Sequence, residues 1–265
     1  MLLIDSKILE EKYGIVLPYD SLEALADYQA RSASKGPWRA YRMLHMEEIE
    51  ILLRELAEFY PEECFDDICP LFTDNNSNYV GIYHRGPLRN KICNLDHEDM
   101  NFSPGFHNIA SFIASIENQP DKNWHELELE LEYPTLALEE PEFSQDADKV
   151  IKEIDELITD AVSDKRLMRQ LIFAKITLIP YGRTDEVYEY LASEDMFIQE
   201  KAVELLRKRK YAPAVYHLFE IAKTGMQNGK IAAIIALKEI NTLESKKCIE
   251  ELRTILPDSY SVYLR

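Results

Sequence analysis

Apolar side chains recur every 31 positions in the later part of this 265-residue chain. Leu171, Ala202 and Ala233 correspond, as do Ala174, Leu205 and Ala236. Val187, Leu218 and Ile249 form a third column, and Tyr190, Ile221 and Leu252 a fourth. Four columns in register over three copies predict helical hairpins stacked around one continuous core, because no single hairpin can bury its own apolar face. The preceding stretch DADKVIKEIDELITDAV keeps Val150, Ile154, Leu157 and Ala161 at helical spacing and predicts a helix that caps the stack. Residues 144–265 are therefore expected to be an all-α repeat domain. Their longest apolar run, IAAIIAL, falls far short of the roughly 18 residues a membrane span requires.

Residues 1–118 follow a different pattern. Residues 5–14 predict a short amphipathic helix closed by Gly14, and a second helix begins near Tyr19. HMEEIEILLRELAEFY puts Ile49, Leu52, Leu53 and Leu56 on one face and stops before Pro61. CPLFT, NYVGIYHR and KICNLDH then read as strands, separated by the turn compositions DNNSN and GPLRN. NIASFIASIE closes the segment as a helix. Helices, antiparallel strands and a closing helix predict an α+β domain. Residues 119–143 contain Pro120, Pro134 and Pro141, are rich in carboxylates and have Lys122 as their one lysine or arginine. They are expected to form an acidic extended connector. Within it, WHELELELE alternates Leu127, Leu129 and Leu131 with Glu126, Glu128, Glu130 and Glu132, which is the period of a strand.

The net charge of −18 is confined to one part of the chain. Residues 1–150 hold 30 acidic and 12 basic side chains, whereas residues 151–265 hold 18 of each. A field of that sign repels phosphate backbones and attracts basic protein surfaces. Nucleic acid and membrane are not expected partners, and a basic protein is. The first residues, MLLID, reach a charge too soon for a secretory signal, and four cysteines do not make a disulfide framework. A reducing, cytoplasmic location is expected.

Two resemblances attach to these segments. SEDMFIQEKAVELLRKRK resembles the acidic turn and helix of HEAT-like repeats of the short bacterial type, over residues 166–256. The first domain resembles the SUKH superfamily, through LEEKYGIVLP (9–18), YRMLHMEEIEILL (41–53), PLFTDNNSNYVGIY (70–83) and NIASFIASI (108–116). That resemblance implies a binding protein, similar to bacterial immunity proteins that neutralise polymorphic toxins, many of them nucleases. Fungal cell-wall regulators share the fold. The HEAT-like resemblance implies a different use, an adaptor that grips a protein or peptide on its helical face.

Each cluster able to carry chemistry has a plainer reading beside it. Neighbouring carboxylates on one strand face stand about 6.6–7 Å apart, so Glu126 to Glu132 cannot converge on one cation. An exposed face is expected there, with contact to a basic partner as the alternative. A second acidic group comprises Asp66, Asp67, Asp74, Asp96, Glu98 and Asp99, all predicted at strand ends where they could share one rim. This group is the predicted partner-binding surface, with an exposed Tyr79 or Tyr83 as its aromatic anchor. Cys64, Cys69, Cys93 and His97 could hold zinc, but their spacing is looser than structural sites prefer, and buried thiols are the better reading. Neither a nucleophile signature nor a glycine-rich phosphate loop occurs, so no catalytic residue, metal or cofactor is expected. The run Arg207, Lys208, Arg209 and Lys210 ends a predicted helix, where cations complement the dipole.

Overall fold

The computed structural model describes residues 4–32, 40–59, 67–96, 101–133, 141–161 and 164–265. Contacts divide it into two compact units. One comprises residues 1–131 and 152–174, the other residues 132–151 and 175–265. Among the described residues the first unit contains α1 (Ser6–Tyr13), α2 (Tyr19–Ser32), β1 (Arg42–Met43), α3 (Met46–Phe59), β2 (Ile68–Thr73), β3 (Tyr79–Tyr83), β4 (Ile92–Leu95), β5 (Pro104–Phe106) and α4 (Ile109–Asn118). Two further helices, α5 (Pro141–Asp160) and α6 (Lys165–Leu178), follow in the chain.

Local chemistry sets the ends of α1. Asp5 caps it by accepting from the backbone N–H groups of Lys7 and Ile8 at 3.0 and 3.2 Å. Gly14 closes it in the left-handed region at φ +66°. The five strands form one antiparallel sheet in the order β1-β2-β3-β4-β5, with α3 lying between β1 and β2 in the chain and short connections joining β2 to β3 and β3 to β4. Every residue of β2 and β4 is buried, so the middle of the sheet is covered on both faces. One covering layer is an aromatic core. Phe72 meets Phe112 edge-on at 5.2 Å, Phe112 meets Phe106 at 5.5 Å, and Phe106 meets Trp124 at 5.6 Å. Trp124 lies directly over β5, where a Cβ at Gly105 would stand 2.6 Å from its ring. Only glycine allows that approach.

The DNNSN turn between β2 and β3 is tied by Asp74, whose Oδ1 accepts from Asn76 N at 2.7 Å and Asn78 N at 3.2 Å. Asn75 and Ser77 both adopt the left-handed region, at φ +64° and +66°. The asparagine tolerates this readily and the serine does not.

The alternating ELELELE segment is not a strand. It opens with a 3-10 turn, Trp124–Glu126, and one backbone bond, Leu131 N to Gly105 O at 3.1 Å, ties it to β5. Its burial nevertheless alternates as the sequence predicts through Leu131, with Leu127, Leu129 and Leu131 inside and Glu126 and Glu128 exposed. Glu132 breaks the pattern and is buried.

In the second unit a 3-10 segment, Tyr181–Val187, leads into α7 (Tyr188–Leu191), followed by α8 (Met196–Lys208), α9 (Val215–Thr224), α10 (Gln227–Ile240), α11 (Leu243–Ile255) and α12 (Ser261–Leu264). Helices α8 and α10 pack together, as do α9 and α11, in the alternation that stacked hairpins produce. Of the residues in the 31-residue columns, all are buried except Tyr190 and Ile221, which are half-buried. The chain thus combines an antiparallel α+β sheet region with a helical region. No helix among the described residues is long and apolar enough to cross a membrane.

Candidate functional site

The antiparallel register separates the acidic residues that the sequence places on one rim. Ile68 pairs with Tyr83, while Thr73 pairs with Tyr79 and Tyr79 with Leu95. Asp67 and Tyr83 therefore stand at one end of the sheet, and Asp74, Tyr79 and Asp96 at the other. Asp66, Glu98 and Asp99 lie outside the described residues, as do Cys64 and His97. Tyr83 is not an exposed anchor. It is buried, and its hydroxyl donates to Phe102 O at 2.8 Å. Tyr79 is half-buried against the aromatic core. Asp74 holds its own turn, and Asp96 Oδ2 lies 3.1 Å from His125 Nε2. Cys69 and Cys93 are fully buried, and burial pushes the Cys69 thiol up to about 12. Among the described residues no group of three or more His, Cys, Asp or Glu side chains is placed to hold a metal ion.

A different feature occupies the Asp67 end of the sheet. After β3 the loop HRGPLRN folds back on itself. Asn90 N donates to Tyr83 O at 2.7 Å, and Gly86 takes φ +71°. This presents Arg85, Pro87 and Leu88 beside Tyr83. Facing them are Leu157 in the last turn of α5, Ala161 just beyond that helix, and Leu167 and Leu171 in the first turns of α6. Between the two walls is a cavity of about 300 Å³ with a predominantly apolar lining. Gln170 ties the walls together by accepting from Phe102 N at 3.2 Å. The polar groups of the lining are largely committed. Asp67 is ion-paired with Arg85, and the Tyr83 hydroxyl is bonded to the backbone. Asp160, exposed at the C-terminal end of α5, has no partner among the described residues.

The second unit contains a buried electrostatic cluster. Glu132 is 4% exposed, with Lys201 Nζ at 2.8 Å and Lys208 Nζ on its other oxygen. Burial alone would raise this carboxyl. The two ammonium groups override it and hold Glu132 at about 2. Arg209, equally buried, donates to Ile179 O at 2.6 Å and Thr184 Oγ1 at 2.9 Å, closing the end of α6. Burial lowers its guanidinium to about 10. With Arg207 on Glu239 at the surface, at 2.9 Å, three cations of the basic run have partners outside their own helix. They act through tertiary contacts, and not only on the dipole of their own helix.

No protein-family model, curated protein or solved structure matches this chain.

Proposed function

We propose that the chain is a non-enzymatic binding protein of the immunity type, which neutralises a basic toxin domain in the cytoplasm by covering the toxin's substrate site. The observation that carries this reading is the charge distribution, with the whole excess of −18 on residues 1–150. A nuclease must be basic where it holds phosphate, so an acidic surface both steers onto it and blocks it. The resemblance of the first 118 residues to the SUKH superfamily supports the same assignment. Electrostatic steering makes the association rate the quantity most sensitive to ionic strength, because the Debye length shrinks to about 8 Å at 0.15 M salt.

A second reading is an adaptor that binds a peptide or helix through its HEAT-like repeats. Tyr216, 68% exposed, and the exposed Tyr181 and Phe197 on the helical unit favour it. Because residues 152–174 belong to the same compact unit as the sheet, cutting the chain at residue 143 would remove part of that unit, so the full chain is the right bait. The protein is immobilised and exposed to lysate of its own cells at low and at high salt, with mass spectrometry of the eluate. A basic protein with a toxin-like domain, released by salt, is the expected result. A set of ordinary cellular proteins retained at high salt would replace the immunity reading with the adaptor.

A further inference from the structure

We infer that the cavity at the Asp67 end of the sheet is an anchor pocket for one apolar side chain of a basic partner, with Asp160 receiving a cation beside that side chain. The inference rests on the proposed binding function and names the place where the partner is held.

Three observations meet at this site. The first is size. A volume of about 300 Å³ exceeds an aromatic side chain and lies at the small end of ligand pockets, at roughly 300–1,000 Å³. Interface hot spots are side chains inserted into such desolvated recesses. The lip is the second observation. Val150 and Ile154 on α5 are buried as the helical spacing demands, yet Leu157, on the same stripe, is 39% exposed at the cavity mouth. The third is the charge at the mouth. The Arg85 cation is offset by its ion pair with Asp67, and the Tyr83 hydroxyl is bonded to Phe102 O. The available charge is Asp160. It is the last residue of α5, whose final turn carries no basic residue. A carboxylate there opposes the negative end of the helix dipole, an arrangement unfavourable in the free protein and relieved by an incoming cation. An apolar side chain next to a lysine or arginine satisfies the walls and the mouth together.

The test uses the full chain with labelled leucine methyl groups, titrated with phenethylamine, which joins an aromatic ring to an ammonium, and separately with phenylacetate. Phenethylamine is expected to shift the methyl signals of Leu88, Leu157 and Leu171, and phenylacetate to bind about three- to fivefold more weakly. Asp160→Asn should abolish that preference while raising the melting temperature, since it removes a charge that opposes the dipole. Leu167→Trp, which fills the cavity, should abolish both titrations. If neither compound moves these methyl groups, the pocket assignment is wrong. If the two bind alike in the unaltered protein, or phenylacetate binds better, the role of Asp160 is wrong. The titration involves no protein partner, so it can fail while the lysate capture succeeds, and the reverse.

Discussion

Among single residues, Glu132 is the most consequential side chain that the sequence conceals. In WHELELELE it has the same parity as three carboxylates that face outward or sit at the surface, and nothing in the alternation marks it as different. Its surroundings come from Lys201 and Lys208, some 70 positions away, so the signal is tertiary. Removing one partner of a buried pair leaves the others charged without compensation. Glu132→Gln is expected to lower unfolding free energy by about 3–5 kcal/mol, read from the urea midpoint at neutral pH. Because the folded carboxyl is held at about 2, below its ordinary value of 4.5, its contribution is complete above that ordinary value and fades as pH falls toward 2. The stability gap between Glu132→Gln and the unaltered protein should therefore narrow between pH 5 and 2, and a gap constant over that range would contradict the ion cluster. The turn serine offers an opposite case. Ser77→Gly should stabilise by about 1 kcal/mol, seen as a higher urea midpoint, since glycine enters the left-handed region without the steric penalty.

Among helices and strands, the sequence is most informative where a face repeats. The 31-residue columns, the stripe of α3 and the runs that become β2, β3 and β4 are all legible, because burial on one side imposes a period. Short elements are not. β1 has two residues and β5 three, too few for any alternation to register, and β5 contains both a proline and a glycine. The segment 126–132 is legible as to burial and illegible as to pairing. An extended chain lying on a surface alternates whether or not a neighbouring strand accepts its hydrogen bonds. The cavity is hidden for a related reason. Leu171 obeys the repeat column and also lines the cavity, and periodicity does not say what a face will meet. Tyr83 and Asp67, which composition singles out, do lie beside the cavity, but Tyr83 is part of its wall and not an exposed anchor. Within the helical unit Gln199 is a further test of the packing. It donates to Leu191 O at 2.7 Å and accepts from Met226 N at 2.9 Å, and a Cβ at Gly229 would fall 2.3 Å from its Oε1. Gly229→Ala must displace this buried clip and is expected to cost about 1–3 kcal/mol, measured by thermal unfolding.

Over the full length of the protein, the uneven charge makes salt act in opposite directions on folding and on binding. Self-repulsion among the carboxylates of residues 1–150 destabilises the compact state, and screening relieves it. Raising sodium chloride from about 10 to roughly 150 mM, which shortens the Debye length from about 30 to about 8 Å, should raise the melting temperature while weakening capture of the basic partner. A protein whose stability and binding both fell with salt would not be governed by this field. The discontinuous first unit has a consequence for biosynthesis. Its sheet is complete in sequence at residue 106, but its last packing partners end at residue 174, after residues 132–151 have gone to the other unit. At translation rates of about 5–20 residues per second, several seconds separate the two events. During that interval the walls around Tyr83 and Leu88 have no α5–α6 corner to meet, and a nascent chain is at its most open to capture by chaperones.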